Sequence, residues 1–143
     1  RNRDFRVDVL TPMRGRETTR PVKLDQFGTY ATPLRDLDYL LEDVQPAVLL
    51  YGHGIMINVP TPGRFAIHKC AISQKRGTAA AAKIRKDLSQ AEQVFEALLD
   101  IRPADITLAL RAAGEKDAAF REKVDAGIER LNPAIASEVR KLQ

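Results

Sequence analysis

The turn Pro60-Thr61-Pro62-Gly63 divides this 143-residue chain into two parts of different character. Before the turn, short apolar runs are separated by loop residues, which is typical of strands, and after it apolar residues recur at the spacings of helices. Pro62 suits the first position of a helix, and Thr61 suits its N-cap. The sequence therefore predicts an α+β fold: the remnant of a small mixed sheet with a β-hairpin, followed by a C-terminal helical bundle of about five helices. The predicted domains are residues 1–60 and 61–143.

The part before the turn contains three predicted strands and one short helix. Residues 4–10 alternate between apolar and polar side chains, which predicts a strand. Residues 11–33 are rich in proline and glycine and are interpreted as a loop. The leucines of residues 34–43 have helical spacing. Two apolar runs, 47–51 and 55–59, flank Gly52-His53-Gly54 and predict a hairpin in which His53 is a turn residue.

The part after the turn predicts helices that pack on one another. The first helix covers residues 62–76, and Gly77 with Thr78 separates it from a second helix over residues 78–99. The second helix carries an apolar seam with spacings of four and three: Ile84, Leu88, Ala91, Phe95 and Leu98. Three shorter helices are predicted to follow, over residues 102–113, 115–131 and 133–142. They carry no recognisable chemistry and are interpreted as a scaffold.

Composition sets broad limits on the function. The net charge of +4 favours anionic partners weakly, and the basic residues are spread along the chain rather than gathered in one run. The single cysteine, Cys70, excludes an internal disulfide and is interpreted as a buried structural thiol, which suits a cytoplasmic protein. No apolar run approaches the roughly 18–20 residues that span a bilayer, so no membrane partner is expected. The chain begins Arg-Asn-Arg, and we interpret it as the C-terminal part of a longer protein.

Three charged residues occupy unusual positions. Asp8 lies between Val7 and Val9 in a predicted strand, where aspartate is depleted. It is either a charge that protects a sheet edge or a metal ligand. Lys69 falls close to the apolar face of its helix, where it needs a partner or a ligand unless its ammonium reaches solvent along the aliphatic stem. Lys83 and Asp87 have the spacing of an exposed ion pair on one helix.

Several strings of this chain resemble a known family. They are LRDLDYLLED, VPTPGRFAIHKCAISQKR, KIRKDLSQAEQVFEALL and RPADITLAL. Together they are similar to the C-terminal half of a bacterial family with a nucleotidyltransferase fold. More distantly, they resemble the toxin component of type IV abortive-infection toxin–antitoxin systems. The similarity covers most of residues 4–112.

The resemblance implies roles for individual residues. Asp8 matches the third carboxylate of the family and is expected to be a catalytic metal ligand. Lys69 and the Lys86-Asp87 pair match residues at the nucleotide cleft, and Arg76 and Lys83 are further nucleotide-binding candidates. In such a site, carboxylates hold two Mg²⁺ ions and a lysine neutralises the nucleoside triphosphate.

The chain departs from the family pattern at its N-terminal side. The Gly-Ser signature and the Asp-x-Asp pair, which the family carries before its third carboxylate, are absent. We therefore expect the fragment itself to be inactive, and we expect its parent to transfer a nucleotidyl group from a nucleoside triphosphate to an unknown acceptor.

The alternative is a non-catalytic helical module. It would bind a partner protein or a nucleic-acid backbone through basic side chains: Arg64, Lys75, Arg76 and Lys83. In either case, a homodimer that covers the open edge of the first strand is predicted.

Overall fold

The computed structural model describes residues 7–74 and 80–143. The chain forms two compact units, Arg1–Asp38 and Tyr39–Gln143. The predicted boundary between the domains 1–60 and 61–143 stays a prediction.

The first unit contains a small mixed sheet, as predicted. Its strands are β1 (Leu10–Pro12), β2 (Val22–Leu24) and β3 (Thr29–Leu34). The spatial order is β1-β3-β2, in which β3 pairs parallel with β1 and antiparallel with β2. A short 3₁₀ turn, Asp25–Phe27, leads from β2 into β3.

Two strand predictions for this unit require correction. The first strand begins at Leu10 rather than at residue 4: residues 7–9 are not in a strand, and residues 4–6 lie outside the described part. Pairing with β3 sets this boundary, because the ladder starts where the N–H of Thr32 donates to the carbonyl of Val9 at 2.8 Å. Residues 11–33 are not a loop, because they contain β2 and most of β3. Their glycines and prolines favour turns locally, but pairing between distant segments decides the structure.

The second unit begins with the helical segment and the hairpin. Helix α1 (Leu37–Leu41) starts just before it in the chain and is shorter than the predicted helix. The hairpin is confirmed, with β4 (Val44–Leu49) antiparallel to β5 (Ile55–Pro60). Gly52 and Gly54 turn the chain with φ values of 57° and 87°, which glycine adopts without strain. His53 is an exposed turn residue between them, as predicted.

The bundle of about five helices is also confirmed for the described residues. The helices are α2 (Pro62–Ser73), α3 (Ala81–Ile101), α4 (Pro103–Gly114), α5 (Ala118–Ile128) and α6 (Pro133–Arg140). The predicted break at Gly77 and Thr78 lies outside the described part. All five members of the predicted seam of α3 are buried.

Helix α2 is the centre of the bundle, because α3, α4 and α5 all pack against it. Its approach to α5 depends on Gly127. A Cβ added to Gly127 would lie 2.7 Å from the Cβ of Cys70 and would also meet the backbone carbonyl of that residue. Cys70 is fully buried, so the interpretation of a structural thiol is confirmed, and burial raises the pKa of this thiol to about 12.

Helix α5 begins at a side-chain cap. The carboxylate of Asp117 accepts a hydrogen bond of 2.8 Å from the backbone N–H of Phe120. We expect Asp117→Ala to lower the free energy of unfolding by about 1 kcal/mol, because this N–H loses its partner. Urea unfolding measures the change. Asp117→Asn keeps an oxygen acceptor and serves as the control, and equal stability of the two variants would contradict the capping role.

Candidate functional site

An ion pair joins the two helices that carry the predicted nucleotide-binding residues. The ammonium of Lys69 on α2 lies 2.8 Å from Oδ1 of Asp87 on α3. Asp87 follows Ile84 by three residues and precedes Leu88, so it lies on the buried seam of α3. Its side chain is 5% exposed, whereas that of Lys69 is 18% exposed. The carboxylate is therefore the covered member of the pair, and the ammonium is the member nearer to solvent.

The ammonium of Lys69 is held on a second side by an aromatic ring. It lies 5.3 Å from the ring centroid of Phe65, one turn earlier on α2, within the range of a cation–π contact. Among the described residues, Phe65 and Asp87 are the contacts that position this ammonium. An ammonium has three N–H donors, and Asp87 takes one of them. The group is thus fixed in place and still has donors for a ligand.

A buried acceptor lies on α3 one turn beyond Asp87. The side-chain oxygen Oε1 of Gln90 is buried and has no hydrogen-bond partner among the described residues. A buried polar atom without a partner costs roughly 1–3 kcal/mol, so it indicates a place where a ligand N–H or O–H would be favourable. The sequence gives one indication that Gln90 lies near Asp87: it follows Asp87 at helical spacing, beside the apolar seam of α3.

A separate network fixes Arg64 within the protein. Its guanidinium donates to the backbone carbonyl of Tyr39 at 2.7 Å and to the carboxylate of Glu42 at 3.1 Å. Lys116 donates to the same carboxylate at 2.6 Å. The pKa of Glu42 is lowered, first by the hydrogen bond from Lys116 and then by that from Arg64. Arg64 therefore connects α2 to the end of α1.

Comparison with known proteins identifies the family. A protein-family model described as nucleotidyltransferase matches residues 1–114. The chain belongs to this nucleotidyltransferase family. No curated protein and no solved structure matches the chain.

The match to the nucleotidyltransferase family ends at the last residue of α4. It includes both helices of the Lys69–Asp87 pair, whereas α5 and α6 lie beyond it. Helix α5 nevertheless packs against α2, so the matched helices α2, α3 and α4 form one bundle with the helices that follow them in the second unit. No helix among the described residues of this family member is long and apolar enough to cross a bilayer.

The predicted nucleotide-binding residues differ in their surroundings. Lys69 and Asp87 are in direct contact. Lys83 is exposed in the first turn of α3, one turn before Asp87. The interpretation of an exposed Lys83–Asp87 pair is wrong in its exposure, because Asp87 is buried on α3, where it bonds Lys69 on the neighbouring helix. Arg76 lies outside the described residues.

The predicted metal ligand lies in the first unit. Asp8 is exposed and lies two residues before Leu10, the first residue of β1. Within residues 7–74 and 80–143, no group of three or more His, Cys, Asp or Glu side chains is arranged to hold a metal ion. The described side chains thus do not fit the two-metal site that the family resemblance implies. Mg²⁺ stays a prediction.

The sequence contains one Asp-x-Asp string, Asp36-Leu37-Asp38, and it follows Asp8, whereas the pair of the family precedes the third carboxylate. It lies in the turn after β3 and at the start of α1 rather than on a strand. Asp36 has a φ of 68°, so successive residues of this string do not alternate as they do in a strand. The string therefore does not replace the strand-borne pair of the family.

Proposed function

We propose that this chain of the nucleotidyltransferase family contributes a binding site for the triphosphate of a nucleotide, centred on Lys69. The reaction we propose for the family is a metal-dependent transfer of a nucleotidyl group from a nucleoside triphosphate to an acceptor, with release of pyrophosphate. The observation that carries the proposal is the Lys69–Asp87 ion pair between α2 and α3.

The pair is arranged to bind an anion. Because Asp87 is 5% exposed and Lys69 is 18% exposed, the pair presents its cationic member to solvent. Asp87 and the ring of Phe65 fix the ammonium before a ligand arrives, so less side-chain entropy is lost on binding. Lys83, exposed one turn before Asp87, supplies a second cation on α3. Charge-assisted hydrogen bonds to phosphate oxygens are stronger than bonds between neutral groups.

We expect the 143-residue chain by itself to bind nucleotide without transferring it. Asp8 is the one residue of the chain that the family resemblance matches to a metal ligand, and a two-metal reaction requires several carboxylates. Mg²⁺, if bound, would supply charge neutralisation for the triphosphate. In the proposal, Lys69 binds and orients the triphosphate, and Asp87 positions Lys69.

Calorimetric titration with ATP, CTP, GTP and UTP in the presence of Mg²⁺ tests the nucleotide site. We expect saturable binding of at least one nucleotide. Lys69→Met should weaken binding by about tenfold or more, because a hydrogen bond to a charged group contributes roughly 1.5–3 kcal/mol. Lys141→Met is the matched control, because Lys141 is 65% exposed and lies at the end of α6.

The design separates a binding effect from a loss of folding. Lys69→Met removes the ammonium that bonds the buried carboxylate of Asp87, so thermal unfolding must accompany each titration. The double variant Lys69→Met/Asp87→Leu removes both charges and avoids that problem. Absence of binding by the unmodified chain, or unchanged binding by the folded double variant, would contradict the proposal.

The interaction-module alternative receives less support from the geometry. It predicted Arg64 as a surface contact, but the Arg64 side chain is 14% exposed and bonds Tyr39 and Glu42. Two of its other predicted contacts, Lys75 and Arg76, lie outside the described residues. A steep fall of nucleic-acid binding with rising salt would favour this alternative.

A further inference from the structure

The β4–β5 hairpin is unusually apolar for an exposed element. Its exposed large apolar residues are 38% to 93% accessible: Val44, Val48, Leu49, Leu50, Tyr51, Ile55, Met56 and Ile57. Residues 44–60 contain no Asp, Glu, Lys or Arg. Exposed strands commonly carry charges that prevent pairing with other strands, and this hairpin has none on either face.

The register shows which backbone groups of the hairpin face outward. The N–H of Thr61 donates to the carbonyl of Asp43 at 3.2 Å, so these two residues form a hydrogen-bonded pair. Hydrogen-bonded and non-hydrogen-bonded pairs alternate along an antiparallel ladder, so this bond assigns every pair of the hairpin. Pro46 and Asn58 form a non-hydrogen-bonded pair, as do Val48 and Met56. The backbone groups of these residues therefore point away from the partner strand.

The two outer edges of the hairpin are not equivalent. On the β4 edge, Pro46 occupies the middle outward position and has no N–H to donate. On the β5 edge, Met56 and Asn58 both offer an N–H and a carbonyl. The β5 edge is thus the one that can accept another strand.

We propose that two copies of this chain associate through their β5 edges. The β5 strands would pair antiparallel about a two-fold axis at Ile57, so that Met56 of each copy faces Asn58 of the other. Each of these two facing pairs exchanges two backbone hydrogen bonds, and the two hairpins become one four-stranded sheet. The paired residues Met56 and Asn58 are not among those that hold the Lys69 ammonium.

Three features favour a second copy as the occupant. An isologous contact requires a self-complementary surface, and the outward donors and acceptors of Met56 and Asn58 complement themselves under a two-fold rotation. The hairpin is uncharged, so two copies meet without like-charge repulsion. The β5 residues at the proposed contact, Ile55, Met56 and Ile57, are apolar and 38% to 68% exposed, so pairing of the two β5 strands covers apolar surface.

Disulfide cross-linking tests the register. In the proposed dimer, Ile57 faces itself across a non-hydrogen-bonded pair with a Cα separation of about 4.5 Å, which suits a disulfide. Ile57→Cys should form a covalent dimer at least about tenfold faster than Ile55→Cys. The two copies of residue 55 would lie about 13 Å apart along the strands, beyond disulfide reach. The native Cys70 is buried, so cross-links report the introduced thiol.

Proline substitution tests the edge. Asn58→Pro removes an outward N–H from β5, and Val48→Pro removes the equivalent N–H from the outer edge of β4. Neither change removes a hydrogen bond within the hairpin. In sedimentation experiments, we expect the first variant to lose dimerisation by about tenfold or more and the second to dimerise like the unmodified chain.

Each alternative outcome overturns the proposal. A monomeric chain at about 100 µM would show that another partner or none covers the hairpin. Equal cross-linking of the Ile57→Cys and Ile55→Cys variants would indicate unspecific collision of apolar surfaces. Equal loss of dimerisation in both proline variants would indicate that β5 is not the contact edge.

Discussion

Replacing Asp87 with alanine is expected to lower the free energy of unfolding by about 3 kcal/mol. The substitution removes the buried carboxylate that bonds Lys69 at 2.8 Å, and it leaves an ammonium that is 82% covered without its charge partner. Breaking a buried pair on one side typically costs about 3–5 kcal/mol. The remaining exposure of Lys69 admits some solvent, which places the expected value at the lower end. Urea unfolding followed by circular dichroism measures it.

Two further variants identify the cause of the loss. Asp100→Ala removes an exposed carboxylate from the same helix, and it should change stability by less than about 0.5 kcal/mol. The double variant Lys69→Met/Asp87→Leu should recover most of the loss, because no buried charge remains. If Asp87→Ala proves as stable as Asp100→Ala, the ion pair does not contribute as described.

The second large effect is expected at Gly127, where alanine should lower the free energy of unfolding by about 2–3 kcal/mol. In a helix interior, alanine is normally favoured over glycine by about 1 kcal/mol. Here the added methyl group would meet the backbone of Cys70 on α2, so α2 and α5 would have to separate. Overpacking of this kind costs typically 1–3 kcal/mol, occasionally more, and the contact with main-chain atoms cannot be relieved by a rotamer change.

Gly114 provides the matched control for Gly127. It also lies in a helix, α4, but a Cβ added there would meet no heavy atom within 4 Å. Gly114→Ala should leave stability unchanged or raise it by up to about 1 kcal/mol. Thermal and urea unfolding of both variants measure the difference. The same chemical change is thus expected to lower stability at Gly127 but not at Gly114, and a stabilising effect at Gly127 would contradict the close approach of α2 and α5.

The sequence predicted the elements that depend on local pattern. The α2–α6 helices and the hairpin follow from apolar periodicity and from glycine and proline at their ends. It did not predict β2 and β3, because three residues of β2 carry too little pattern and are in a strand only through pairing with β3. Likewise, the start of β1 at Leu10 depends on a partner more than twenty residues away.

The candidate site was predicted as separate residues rather than as a contact. Lys69 and Asp87 were both placed at a nucleotide cleft through the family resemblance, but Asp87 was also interpreted as part of an exposed pair with Lys83. The seam itself indicates that Asp87 is covered, because this residue lies between buried Ile84 and Leu88, where a carboxylate requires a cation. Which cation could not be predicted, because that depends on how α2 and α3 pack.

The central position of α2 has a consequence for synthesis on the ribosome. The helices that cover α2 emerge after it and in succession, and the surface around Cys70 is covered only when Gly127 and the rest of α5 have been translated. Until then the nascent chain exposes apolar surface that its own later residues will bury. The helices beyond the family match are therefore required to complete the matched part, and a protein cut at residue 114 would present this surface to chaperones and proteases.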